Sequence, residues 1–487
     1  MLIKKENHSL DLYVFVFFLL VASVIYFPTL KAGALWDDWI FIFKSQNLKF
    51  NNPLEYWGVG NNQRSWPMFF SFLWVLDAFF SEKFIFYHIV SLVLHTSNAF
   101  LLYKIMPKLG GRNAGLIALL YLVHPLHFFS VTWIIQLKTL MCIFFFLLAA
   151  ISFLKYRESN TRKDLVFSIV LFAFSLLSKA AFAPILILFL FFKERKVALV
   201  FISLCIYSLL LTFWSTHVRF LKNSFLRKMP TSVSRELTIN PPTLADRAAI
   251  FNTRGVPLRP LPPPKKKMDY PITTKFVLAL KNFSNYSLYV FYPKENLLIY
   301  PNTVVTYSLS DLAVSIAIVL LSTFFIVGFI NKKKWISLSG LLFFIISIVP
   351  LTGITYWSIF AYSNFVEYWL CVPVVGLIVC LSQENLKRSA VILVAIVAIF
   401  YAAKTFESAR VYTSSDAMIL KSIERSPKNV NIKLVLANHY FFTKRYELSN
   451  AVLKSLEHQV ESGEGIQKLE ILNYKALRGE DIEELTL

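Results

Sequence analysis

Apolar residues do not alternate with polar ones along this chain; they run in long blocks. The first block, Leu12 to Pro28, follows Lys4 and Lys5. Later blocks predict helices over 84–105, 113–130, 132–154, 165–179, 182–192, 197–216, 308–330, 335–352, 366–383 and 388–404. A helix needs roughly 20 apolar residues to cross a bilayer core, so the pattern predicts about eleven spans. The short alternating segments of a membrane β-barrel are absent. The fold class is therefore all-α, a polytopic transmembrane helical bundle. The first block shares features with a signal peptide, with Ala32-Gly33-Ala34 as small residues behind it. Its length, and the spans that follow, favour an uncleaved first span.

The pattern changes near residue 405. Residues 405–487 are polar, charged and helix-forming. Leu436, Ala437, Tyr440, Tyr446 and Ala451 have the spacing of a helix–turn–helix repeat of tetratricopeptide type, with an ordinary amphipathic helical pair as the alternative. One copy is visible, and such arrays need about three units for stability, so the tail is expected to lean on the membrane domain or a partner. The reading is a membrane domain over 1–404 and a small helical domain over 405–487.

Short-loop charge gives an orientation. Lys104, Lys108 and Arg112, then Lys155, Arg157, Arg162 and Lys163, then Lys193, Arg195 and Lys196, then Lys332 to Lys334, then Lys387 and Arg388 all fall on the side of Lys4 and Lys5. The expected topology has the N-terminus in the cytoplasm and the C-terminus on the outer face, in a bacterial inner membrane. The region 218–307 becomes a long outer loop. Its first part, 218–281, carries thirteen Lys/Arg and three acids, which long loops tolerate on the translocated side. "RPLPPPKKK", Arg259 to Lys267, predicts extended chain. "SLYVFYPKENLLIYP", Ser287 to Pro301, suits an interfacial or re-entrant segment.

Composition sharpens this reading. The chain is 56% hydrophobic with 47 Phe and a mean hydropathy of +0.56, which excludes an ordinary soluble domain. Its formal charge of +21 lies in loops between spans, and nothing resembles a nucleic-acid module. Anionic lipid headgroups and lipid phosphates are the expected partners. Cys142, Cys205, Cys371 and Cys380 lie inside apolar runs, where neither a disulfide nor a metal site is expected.

Candidate chemistry gathers at span ends. In "LWDDWI", Asp37 and Asp38 are bracketed by Trp36 and Trp39. Indoles settle at the interface, and acids near bilayer depth are usually functional or paired. Adjacent side chains diverge, so the two carboxylates predict two jobs: one accepts a proton from an incoming hydroxyl, and the other binds a cation or holds the loop, with Arg64 as a candidate partner. A plain loop with interfacial anchors is the alternative. "YLVHPLHFFSVTWIIQLKTL", Tyr121 to Leu140, places His124 and His127 around Pro125 and Lys138 beside Gln136 and Thr139. Two histidines alone are weak evidence for a metal. Lys138 either snorkels to the headgroups or binds a lipid-linked phosphate. His88 and His95 share a helix face and predict interhelical hydrogen bonds. Lys179 and Glu367 fall on the same membrane side. Acids and cations there suit group transfer from a lipid phosphate: the acid activates the acceptor hydroxyl, and the cations stabilise the leaving phosphate. No Gly-rich nucleotide loop is present.

These stretches, in this order, resemble the GT-C superfamily of membrane glycosyltransferases, and within it the transmembrane and tetratricopeptide-repeat O-mannosyltransferases and their bacterial relatives. The motifs are "WDDW", the segment from Arg64 to Tyr103, "HPLHFFSVTWIIQLKTL", "LLSKAAFAP", "YSLYVFYPKENLLIYP" and "EYWLCVPVVGL". The resemblance implies hexosyl transfer from a polyprenyl-phosphate-linked donor to an acceptor hydroxyl on the outer face. A protein Ser/Thr is favoured as acceptor, and a lipid or polysaccharide is the alternative. It implies Asp37 or Asp38 as catalytic base or as ligand of a divalent cation (Mg or Mn), with Lys138, Lys179 and Arg64 on the donor phosphate and His124, His127 and Glu367 lining the site. The chain departs from the family pattern at Phe128-Phe129, where relatives carry an acid, and at Tyr368, where they carry Arg. A non-enzymatic transporter or assembly scaffold is the competing class. Transporters tend to carry internal repeats and midplane ion sites, and no internal repeat is evident.

Overall fold

The computed structural model describes residues 8–36, 38, 57, 66–185, 195–226, 272–300, 308–353, 363, 365–427, 429–443 and 445–456. Every regular element among them is helical. Six helical stretches are long and apolar enough to cross a bilayer: His8–Lys31, Phe84–Lys108, Ile134–Ser159, Leu309–Asn331, Trp335–Thr352 and Arg388–Val411. A seventh exists if Ala114–Val123 and Pro125–Thr132, bent by 49° at the break between them, count as one. The chain is thus an all-helical, multi-pass integral membrane protein.

The elements that position the candidate site are α1 (His8–Tyr26), α2 (Pro67–Phe80), α3 (Phe84–Lys108), α4 (Ala114–Val123), α5 (Phe128–Thr132), α6 (Leu137–Ser159) and α7 (Arg162–Ser178). They are followed by α8 (Arg195–Leu226), α9 (Ile272–Phe291), α10 (Leu309–Asn331), α11 (Trp335–Ile348), α12 (Pro373–Ser382) and α13 (Arg388–Val411). Three short helices close the described chain: α14 (Ser415–Arg425), α15 (Val430–Phe442) and α16 (Tyr446–Lys454).

This differs from the expectation of about eleven spans. The segment 366–383 is not one long helix. It is a 3-10 turn, Glu367–Cys371, followed by the ten-residue α12. Ten residues rise about 15 Å, half the thickness of a bilayer core. The segment 165–179 falls on α7, which has 17 residues. The expected span at 182–192 lies largely outside the described residues, and side chains of the one at 197–216 are described only through Leu210.

Burial separates inner from outer helices. In α10 only Ser315 is buried, while Leu312, Val314, Ile316, Leu320, Leu321, Phe324 and Phe325 are exposed. A helix apolar on all sides and uncovered by protein is the pattern of a lipid-facing element. The helix starts with a capping box from Ser308 and Asp311, and Asp311 also takes Lys281 Nζ at 2.9 Å. Neighbouring helices pack through small and hydroxylated residues, as expected where lipid removes the hydrophobic drive between helices. Ser168 and Ser175 of α7 donate to the carbonyls of Ala149 and Cys142 in α6 at 2.8 and 2.7 Å. Between α11 and α12 the backbones meet at Gly340 and Gly376, where a Cβ on either would sit 2.4 Å from the other's carbonyl oxygen.

One span is broken. His124 adopts an extended conformation between α4 and the 3-10 turn Pro125–His127. Proline cannot donate the next helical hydrogen bond, and carbonyls on both sides of the break take side-chain donors. Inside a bilayer these must be satisfied by protein. Leu122 O accepts from His95 Nε2 at 2.9 Å, and Val123 O from Thr405 Oγ1 at 2.8 Å. Pro125 O accepts from Asn296 Nδ2 at 3.2 Å, and Leu126 O from the Cys371 thiol at 2.9 Å. Four residues from four separate parts of the chain converge on one break.

The C-terminal helices rest on the same end of the bundle. The expected domain boundary at 404/405 falls within α13, which continues to Val411. Ser415 Oγ accepts the amide of Trp36 at 2.8 Å, Tyr412 donates to the carbonyl of Asn296, and Arg425 pairs with Glu295. The hairpin α15–α16 buries Ala437, Leu453 and Leu456. Asp416 ties that hairpin to α14, with Arg445 at 2.5 and 2.8 Å and His439 at 2.7 Å. Arg445 and His439 together hold the Asp416 carboxyl down at about 2.

Two outcomes follow from this packing. Gly340→Ala should lower stability by about 1–3 kcal/mol, because α11 and α12 must move apart. Gly328→Ala, with nothing within 4 Å of the added Cβ, should be neutral, and thermal unfolding in detergent compares them. The lowered pKa of Asp416 stabilises the folded form above the usual carboxylate range, and this contribution is lost as pH falls from about 4 through about 2. Amide protection of α15 and α16 should fall in that window in the native chain, and Asp416→Asn should remove the dependence.

Candidate functional site

The site is built around the segment that follows the break. After α5 the chain leaves the helix at Trp133, makes a 3-10 turn over Ile134–Gln136 and enters α6. The first amides of such a segment have no partner within it. Asp38 supplies one. Its Oδ2 accepts from Ile134 N at 3.2 Å and from Leu35 N at 2.9 Å, and its Oδ1 accepts from Ile135 N at 2.8 Å. The side chain is fully buried. A carboxylate on the amides at a helix start is doubly favoured, by charge-assisted hydrogen bonds and by the helix dipole. The turn that delivers it holds Trp36 at φ 42°, a left-handed backbone that a bulky residue seldom adopts. Trp36 is fixed there by Ser415 and by its ring against Trp133, with centroids 5.4 Å apart.

One turn further, α6 carries Lys138 and Thr139. Lys138 is 6% exposed, and its ammonium lies 3.8 Å from the ring centroid of Trp66, a cation–π contact. Lys179 ends α7 in an extended conformation and reaches across to α6, where Nζ donates to Thr139 Oγ1 at 2.9 Å. Thr139 in turn donates its hydroxyl hydrogen bond to Gln136 Oε1 at 2.9 Å. Lys179 has no carboxylate within ion-pair distance among the described residues. Asp38, Lys138 and Lys179 are therefore anchored on one short stretch, 134–139.

The other expected site residues fall in different places. Asp37 and Arg64 lie outside the described residues. His124 belongs to the break: Nε2 meets Val290 O at 2.8 Å and Nδ1 accepts from Leu126 N at 3.2 Å. Both nitrogens are used, so its part is structural. His127 is fully buried beside Tyr121 and His95, with ring centroids at 4.1 and 4.9 Å. Glu367 begins the 3-10 turn before α12, is 1% exposed, and neither carboxylate oxygen has a hydrogen-bond partner among the described residues. Its neighbour Tyr368 packs edge-on to Trp133 at 5.3 Å.

The residues Trp66, Thr139, Ser415 and Asn296 were not among the sequence candidates. Their roles come from partners distant along the chain, and only Thr139 and Gln136 had a signal, being polar beside Lys138 in an apolar helix. A polar cavity of about 150 Å³ opens where α9, α13 and α14 meet, lined among others by Lys294, Lys404, Lys421, Arg425, Glu295 and Glu407. No cluster of three or more His, Cys, Asp or Glu capable of holding a metal occurs among the described residues. Asp38 accepts from three backbone amides. No protein-family model matches the chain, and no curated protein matches it.

Asp38→Ala should lower stability by about 3 kcal/mol, because buried amides lose an ionised acceptor. Asp38→Asn, which keeps one carbonyl oxygen, should cost less. Thermal unfolding reads both. An Asp38 that served only as a proton acceptor would leave the transition unmoved.

Proposed function

We propose that this protein is an integral membrane glycosyltransferase of GT-C type. It moves a hexose from a polyprenyl-phosphate donor to an acceptor hydroxyl, favoured as a protein Ser/Thr, on the outer face of a bacterial inner membrane. The observation that carries this reading is Lys179: an ammonium drawn into the helical bundle, hydrogen-bonded to a neutral hydroxyl, with no ion-pair partner among the described residues. Ionisable groups at such depth are usually functional, and a phosphate arriving on a lipid supplies the missing anion. Lys138, one residue before Thr139, adds a second positive charge, and the nearby start of α6 adds the favourable end of its dipole. These charges stabilise the phosphate as the sugar leaves it.

The two acids divide the remaining work. Asp38 holds the 134–139 segment through its amides, which leaves Asp37 as the base that accepts the proton of the acceptor hydroxyl. The sugar's bond to phosphate breaks as its bond to the acceptor oxygen forms, and the phosphate departs on its lipid.

A second reading is a non-enzymatic assembly scaffold. It is favoured by the three backbone amides that Asp38 accepts from and by α14–α16 resting on the end of the bundle, where they offer a docking surface. The two readings part under mutation. Lys179→Met and Asp37→Asn should each reduce sugar transfer by roughly 100-fold or more while the protein accumulates normally. Mass spectrometry of outer-surface proteins and glycans is the check. Unchanged glycans after deletion of the gene support the scaffold.

A further inference from the structure

A second group of polar side chains lies deeper, at the broken span, and the proposed reaction does not use it. Tyr26 of α1, His95 of α3, Tyr121 of α4 and His127 of the 3-10 turn are each at most 1% exposed. Their rings form one cluster. Tyr26 lies 5.8 Å from His95, His95 lies 5.6 Å from Tyr121 and 4.9 Å from His127, and Tyr121 lies 4.1 Å from His127, between centroids. Five of their polar atoms have no hydrogen-bond partner among the described residues: Tyr26 OH, His95 Nδ1, Tyr121 OH, and both Nδ1 and Nε2 of His127.

Buried polar atoms are nearly always paired, with protein or with ordered water. Five orphans in one place, on four elements, are not scattered defects of packing. Their chemistry is also complementary to a single ligand class. His95 donates through Nε2 to Leu122 O, so its Nδ1 offers a lone pair in the neutral ring. The two phenols each donate and accept, and His127 offers one donor and one acceptor. Cys371 and Ser130 are engaged with each other at 3.1 Å. Water, with two donors and two acceptors per molecule, matches these groups, and five atoms on both sides of the His127 ring call for at least two molecules.

We infer that Tyr26, His95, Tyr121 and His127 enclose a binding site for ordered water inside the membrane domain, hydrogen-bonded through both nitrogens of His127. Such water makes about three hydrogen bonds to groups that otherwise lack partners. It completes the polar lining of the break, where the protein has already supplied a side chain for each freed carbonyl.

The test has two arms, both on the full chain in lipid nanodiscs. Electron cryo-microscopy at a resolution that shows water should find ordered density within hydrogen-bond distance of His127. Tyr26→Phe and Tyr121→Phe should each lower Tm by roughly 1–3 °C, because bound water loses a partner. A dry cluster gives the opposite sign: removing an unpaired buried hydroxyl raises Tm. Density too strong for water, or ring nitrogens bonded directly to the phenols, overturns the inference, as does a rise in Tm for both variants. The phenol-to-phenyl changes preserve shape, so misfolding does not confuse the readout.

Discussion

The break at His124-Pro125 is the constraint on which the rest of the structure depends. A span that stops being helical inside a bilayer exposes carbonyls that lipid cannot satisfy. The chain meets that demand with His95, Thr405, Asn296 and Cys371, drawn from α3, α13, the loop after α9 and the turn before α12. Each of those hydrogen bonds also fixes the element that makes it. One local interruption thereby orders four distant segments around residues 122–126.

The interruption has a second consequence. Because the span does not continue, the chain re-enters the bundle at Trp133 and restarts as α6 with bare amides. Asp38 caps them from the far end of the first span, and the loop that carries it is held by Ser415 from the C-terminal helices. Lys138 and Lys179 owe their proximity to this restart, since Lys179 docks on Thr139 in the first turn of α6. A continuous helix through Pro125 would need none of these contacts and would give the two lysines no common anchor. The proposed transfer reaction therefore rests on the architecture of the break as much as on the lysines.

The apolar blocks made the helical membrane class legible, because twenty uncharged residues in a row have few other physical solutions. The break was partly legible: Pro125 inside an apolar block marks an interruption, and the flanking histidines are polar groups that need partners. Which partners they take was not legible. His124 looked like a site residue and is spent on Val290 O and Leu126 N. Holding the loop was one of the two jobs expected of the acid pair, and Asp38 accepts from the backbone amides of Leu35, Ile134 and Ile135. Carboxylates and imidazoles serve catalysis and backbone satisfaction with the same atoms, and only the fold decides between them. Segment length also misled at 366–383, where a run apolar enough for a span divides into a 3-10 turn and a half-length helix. Pro373 in that run was the available warning, since proline favours the first turn of a new helix.

The central claim is that the restart of α6 creates a site for a lipid-borne phosphate at Lys179. Native mass spectrometry of the protein released from its own membrane, compared with Lys179→Met, tests it most directly. The account predicts a polyprenyl-phosphate adduct on the native chain that falls at least tenfold in the variant. Equal adduct on both chains, or none on either in the presence of added polyprenyl phosphate, would contradict it.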